Sequence, residues 1–177
     1  MVWLVLVGLV VAWSVFLYYF QPGSSGRSSL GAPQLSPPQG VNAIDYQWAL
    51  MGLDGKQVDF ARFRGKTLFL NVWATWCGPC VAEMPSIANL VTNSKLSDVE
   101  FLCVSVDEDP ATVERFLKRE KLDVPVAVAV SEPPPGLQTE GIPATFLIGP
   151  DGTILAQEIG SARWDTPEVV KRLQALA

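Results

Sequence analysis

Two cysteines, Cys77 and Cys80, lie two residues apart in the pentad Trp76-Cys77-Gly78-Pro79-Cys80. Such a pair can close a small disulfide ring. An apolar run, Thr67 to Trp73, precedes it, and a helical pattern that continues to about Asn93 follows it. The pair therefore sits at a strand-to-helix junction. At a helix N-terminus, backbone N–H groups and the helix dipole favour an anion on the first cysteine. The thiolate is the attacking species in disulfide exchange. Cys77 is thus read as the nucleophile and Cys80 as the resolving thiol, with a purely structural disulfide as the bland alternative.

A Cys-x-x-Cys pair can also be half of a zinc site, which needs two more Cys or His ligands. The chain has no histidine and one other cysteine, Cys103, so a standard zinc site cannot be completed. The run Asp107-Glu108-Asp109-Pro110 reads as capping and solvation rather than as a metal site: Asp109 is the expected N-cap of a helix with Pro110 at its first position. No metal or cofactor is called for.

The elements that position the pair follow from the rest of the 177 residues. Met1 to Phe20 is apolar apart from Ser14 and carries no charge. Twenty helical residues span about 30 Å, the thickness of a bilayer core. The run is long for a signal-peptide core and has no basic residue before it, so residues 1–20 are expected to be an uncleaved transmembrane signal-anchor. Residues 21–40 hold four prolines, four glycines, five serines and one charge, the composition of a flexible linker. Beyond Arg27 the chain carries 18 acidic and 12 basic residues, with no basic cluster, which argues against a nucleic-acid partner.

A folded domain is expected over residues 41–177. Tyr46–Leu50 and Gln57–Phe60 flank a Gly-Leu-Asp-Gly turn and read as a hairpin. Thr67–Trp73 reads as a central strand covered on both faces, with Asn71 its polar exception. Met84, Ile87, Leu90 and Val91 mark one face of the helix after Cys80, which Pro85 is expected to kink. Val99–Val106 and Val124–Val130 read as further strands, separated by a helix with Val113, Phe116 and Leu117 on its apolar face. Gly141–Ile148 and Thr153–Ile159 form a closing hairpin, and Asp165-Thr166-Pro167 starts the last helix. Strands alternating with helices predict an α/β fold: a central mixed sheet with helices on both faces and antiparallel strands at one side.

This pattern and the pentad resemble the thioredoxin superfamily. The chain looks like its membrane-anchored TlpA/ResA type on four features: the N-terminal anchor, the early hairpin, Cys-x-x-Cys-x-x-Glu-x-Pro at Cys77 to Pro85, and an insertion between the two halves. Gly-x-Pro-x-Thr-Phe-Leu-Ile from Gly141 and the Asp-Gly turn after it also fit. The resemblance implies a thioredoxin fold. It implies a cis proline at Pro143 that lies against the disulfide and turns the Ile142 backbone toward an extended substrate segment. It implies that Glu83 tunes thiol acidity or moves protons, in a chain with no histidine to do so. A solvated helix carboxylate is the plainer reading of Glu83. Asn71 stands where ordinary thioredoxin has a titrating aspartate, which shifts weight to Glu83. Trp76, Gly78, Pro79 and Ile142 are the expected substrate contacts. Trp73 is expected to be packing, and Cys103 a plain buried thiol, with a third redox thiol as its sharper alternative.

The resulting expectation is a single-pass thiol–disulfide oxidoreductase whose domain faces the extracytoplasmic (periplasmic) side. It would reduce disulfides of exported proteins, apocytochromes c among them, fed by a membrane thiol carrier. A dithiol oxidase or isomerase of the same fold is one alternative. A non-catalytic thioredoxin-like binding module or chaperone is another; a peroxidase is disfavoured by Cys-Gly-Pro-Cys, and a copper chaperone by the absence of histidine. Charge gives no orientation, since Arg27 after the run would weakly hold the domain inside. A topology reporter fused after Gly40 is expected to be active only outside the cytoplasm; activity inside would remove the localisation.

Overall fold

A computed structural model describes residues 30–38 and 43–176. The predicted span 1–20 lies outside the described residues. Among the described residues no helix is long and apolar enough to cross a membrane.

The chain runs β1 (Leu50–Met51), β2 (Gln57–Val58), a 3-10 turn (Phe60–Phe63), β3 (Thr67–Trp73), α1 (Gly78–Val91), a second 3-10 turn (Ser94–Leu96) and β4 (Val99–Ser105). It continues with α2 (Pro110–Glu120), β5 (Val126–Ala129), β6 (Ala144–Ile148), β7 (Ile154–Ile159) and α3 (Pro167–Leu176). One seven-stranded sheet has the order β2-β1-β5-β4-β3-β6-β7. Strands β3, β4 and β5 are mutually parallel, and β1, β2, β6 and β7 add antiparallel.

β3 occupies the centre, and all seven of its residues are buried. It pairs in parallel with β4 (Asn71 opposite Cys103) and antiparallel with β6 (Asn71 opposite Thr145). The period of two then sorts its side chains. Phe69 and Trp73 join Phe101 and Cys103 in a core with Met84, Ile87 and Leu90 of α1, Phe116 of α2 and Leu173 of α3. Leu68, Leu70 and Val72 join Leu102, Val104 and Phe146 in the opposite core.

That second core corrects an expectation. Helices on both faces were predicted, yet α1, α2 and α3 all pack in the first core. The opposite face is covered by Ile44, Tyr46, Trp48, Phe60 and Phe63 from the N-terminal arm and by Leu137. The reason is topological. Passing from β3 to β4 to β5 moves twice in one direction, and right-handed crossovers then put both helices on one face. The hairpin strands are also shorter than predicted: 46–49 run irregularly, and Tyr46 and Trp48 serve as apolar cover.

The linker boundary moves as well. Within residues 21–40, the described part 30–38 lies along β7, where Ser36 and Gln157 exchange backbone hydrogen bonds of 2.9 Å in both directions. Composition missed this because an edge strand recruits backbone groups, whatever the side chains. Helix α1 continues through Pro85 to Val91, and the third predicted strand begins after Pro125, whose carbonyl accepts the Cys103 N–H at 2.8 Å.

Leu70→Ala, at the centre of β3, is expected to cost about 2–5 kcal/mol. Urea unfolding should show the midpoint falling with its slope unchanged; a loss under about 1 kcal/mol would mean that this core collapses around the gap.

Candidate active site

α1 begins where the apolar demand of β3 ends. Cys77 is its N-cap in an extended conformation, and Pro79 stands in the first turn, where a missing N–H costs nothing. The Cys80 N–H donates to Cys77 Sγ at 3.2 Å. Cys77 and Cys80 are joined as a disulfide. Cys77 is 7% exposed and Cys80 fully buried, so an approaching partner meets the first sulfur and not the second.

Ile142–Pro143 is a cis peptide, and the Ile142 carbonyl oxygen lies 3.7 Å from Cys77 Sγ. In the disulfide this is a contact only, because that sulfur carries no proton. Gly78, Pro79 and Trp76 are exposed around the sulfurs, Trp76 at 69%. The structure thus brings together Cys77, Cys80 and Ile142-Pro143, with Trp76 beside them. Trp76 and Ile142 also line an open groove of roughly 720 Å³ whose walls include Trp48, Val106, Val130, Leu137, Glu132 and Glu140.

Glu83, one turn beyond Cys80, is fully buried, so a solvated carboxylate is not what the fold makes of it. Asn71 Nδ2 donates to Oε1 at 2.8 Å, and both the Ala162 N–H (3.0 Å) and Trp164 Nε1–H (3.1 Å) donate to Oε2. Asn71 Nδ2 also donates to Thr145 Oγ1 at 2.9 Å. No cation is among these partners. Burial dominates and pushes the Glu83 carboxyl up to about 7, against the three donors, with the Glu158 charge adding to the rise. An acid at that value exchanges protons readily near neutrality. Cys103 is fully buried opposite Asn71; burial first and the Glu83 charge second push its thiol far up, which favours the protonated form.

Two groups escaped the sequence reading. Asp107, taken there as a solvated acid, is 6% exposed and accepts from the Thr75 N–H (2.8 Å), Thr75 Oγ1–H (2.6 Å) and Ser105 Oγ–H (2.7 Å). It pins the loop that carries Trp76 and Cys77. Asp109 is the N-cap of α2, as its position before Pro110 implied. Trp164 was unforeseen because its partner is 81 residues away; an aromatic residue with a polar tip just before a helix was the only signal. Among the described residues no three Cys, Asp or Glu side chains are grouped to hold a metal.

A family model described as Redoxin matches residues 32–173. The chain is 37% identical over 109 residues to a thiol-disulfide oxidoreductase ResA of Bacillus anthracis, covering 61% of this chain and 63% of that protein. It is 32% identical over 115 residues to the ResA of Bacillus subtilis (strain 168), covering 64% of each. The chain thus spans under two thirds of the length of these curated relatives. Among solved structures, StoA from Bacillus subtilis superposes with a TM-score of 0.57 at 21% identity, over 78% of this chain and 98% of that one. A secreted disulfide oxidoreductase of Mycobacterium tuberculosis gives 0.59 at 24% identity, over 74% and 97%. These likenesses establish the fold as thioredoxin-like.

The raised Glu83 value fixes the sign of a pH effect. The folded state holds this proton more tightly than the unfolded chain, so stability is fully present below about 4.5 and falls as pH rises through about 7. The loss amounts to roughly 3 kcal/mol. Glu83→Gln should flatten that slope in urea unfolding at pH 5 and pH 8; an unchanged slope would mean that Glu83 titrates as an ordinary carboxylate.

Proposed function

We propose, for a chain that belongs to the Redoxin family and to the ResA/TlpA type of the thioredoxin superfamily, that it is a thiol–disulfide oxidoreductase acting through Cys77 and Cys80. The observation that carries this reading is the reactive asymmetry of the pair. Cys77 caps a helix beside the Ile142 carbonyl and the open groove, while Cys80 is sealed behind it.

In the reduced protein the Cys77 thiolate receives the Cys80 N–H and the positive end of α1. It attacks a partner disulfide, forming Cys77–S–S–partner and releasing one partner thiolate. The Cys80 thiolate then attacks Cys77 Sγ, which re-forms the internal disulfide and releases the second partner sulfur. Two electrons pass to the partner. The two protons that its thiols take up match the two that Cys77 and Cys80 give up. Glu83, one turn behind Cys80 and poised near neutrality, is the group to hold the Cys80 proton while that thiol becomes a nucleophile. Trp76, Gly78, Pro79 and Ile142 form the surface that the partner segment touches.

Gly78-Pro79 between the cysteines is the dipeptide of reducing thioredoxins, which favours net reduction of the partner. On the resemblance, the partners are disulfides of exported proteins, apocytochromes c among them, with electrons from a membrane thiol carrier. The apolar run 1–20 would hold the domain at the extracytoplasmic face of the membrane.

Cys80→Ser should trap a partner as a mixed disulfide, and Cys77→Ser should trap none, by non-reducing electrophoresis. The Cys77–Cys80 midpoint, by thiol trapping in dithiol buffers, is expected near or below about −250 mV. A midpoint near about −120 mV would reverse the direction to oxidation, and a pair that never closes would end the exchange mechanism.

A further inference from the structure

Residues 30–38 are fastened to the domain at four points, one of them the Gln34 backbone N–H, which donates to the Glu158 carboxylate. Ser36 and Gln157 of β7 exchange backbone hydrogen bonds, and Ser36 Oγ–H adds a bond of 3.2 Å to the Gln157 carbonyl. Leu35 packs against the helix-side core, the same core that contains Ala162 and Trp164. Five residues before Ser36, the Gly31 carbonyl accepts the Arg163 N–H at 2.8 Å.

Arg163 is the residue between the two that serve Glu83. The Ala162 backbone N–H and the Trp164 indole N–H donate to Glu83 Oε2, and the intervening Arg163 backbone N–H donates instead to the Gly31 carbonyl. On the inner side the segment is also tied to α1, because the Trp164 N–H donates to Ser86 Oγ at 3.1 Å. The segment 162–164 is therefore a wall one chain thick. Glu83 lies on one side of it and the strap 30–38 on the other.

We propose that residues 30–38 are a detachable seal on the Glu83 site: seated on β7 and Arg163, they hold the 162–164 wall closed over the carboxylate, and lifting them admits water to it. The inference rests on the reading of Cys77–Cys80 as an exchange pair and gives that pair a second setting. With the seal on, Glu83 is a buried acid that holds a proton near neutral pH. With it off, Glu83 is an ordinary ionised carboxylate that cannot. The other titratable groups beside Glu83 are Glu158 of β7, whose charge raises it, and Cys103 of β4, whose own thiol is pushed up and so favours its neutral form. β3 contributes the neutral Asn71, while Arg163 and Asp165 pair with each other at 2.8 Å. Burial is the largest cause of the raised Glu83 value, larger than the donors that oppose it. Admitting water therefore moves the group down.

The test uses the full-length chain with carboxyl-13C glutamate, the Glu83 resonance being identified by its loss in Glu83→Gln. Leu35→Ser and Ser36→Pro release the strap by substitution without adding charge, and deletion of 30–38 removes it outright. Ser36→Ala keeps the backbone N–H and is the control. The Glu83 titration midpoint should fall by about one pH unit or more in the three release variants and stay in place in the control. The Arg163 amide should exchange with solvent about tenfold faster in the released forms. An unmoved or raised midpoint in the deletion variant overturns the seal. The titration needs no substrate, so its outcome is read separately from the exchange chemistry. A fallen midpoint in a protein that reduces no disulfide would sink the functional proposal and leave the seal intact. The pH profile of Cys77 alkylation should shift on strap release when Glu83 is present and not in the Glu83→Gln background; equal shifts in both would reduce the strap to general support.

Discussion

A carboxylate buried without a counter-charge is the constraint around which this domain closes. Such a group is tolerable only if donors surround it or if it keeps its proton. Glu83 draws its donors from three places: an amide side chain of β3, a backbone N–H just past β7 and an indole before α3. α1 supplies the acid itself. The hydrogen bond from Asn71 to Thr145 extends the set to β6. Elements far apart in sequence are thus held in one arrangement by the needs of one polar group. That group lies one helical turn behind the buried sulfur.

The reactive end is organised by a second and separate polar group. Asp107 leaves β4 and fixes Thr75, so the loop carrying Trp76 and Cys77 is anchored to the strand beside its own. Asp107 fixes the loop and Glu83 gathers the elements behind it, through disjoint hydrogen bonds. The groove beside Trp76 is built from neither. It comes mainly from the arm before β1, the end of β5 and the loop that follows, with Val72 of β3 and Val106 beyond β4 beside them.

What could be read in advance follows from how local the causes were. β3 was legible to the residue, because a strand buried on both faces is an uninterrupted apolar run. The pair Cys77–Cys80 was legible because its chemistry needs only a junction and a helix terminus. Pro143 came from resemblance, and the structure agrees on its isomer. The one-sided placement of the helices was not legible, since alternating elements do not state the order of strands in the sheet. Asp107 and Trp164 were not legible either, because each takes its meaning from partners 32 and 81 residues away. The segment 30–38 was misread for the opposite reason: a Pro/Ser-rich composition reports what side chains can bury, whereas this stretch is held mainly by its backbone.

The strand order also bears on how copies of the domain meet one another. An open sheet ends in two rows of free backbone groups, and long bare rows invite pairing between molecules. One margin here is β2, only two residues long. The other, β7, is six residues long and has half-exposed Ile159 at its end, but Ser36 occupies its ladder at Gln157. The stretch that composition marks as a spacer therefore also blunts the only long margin of the described sheet. At high local density this favours a population of separate molecules over an assembly stitched edge to edge.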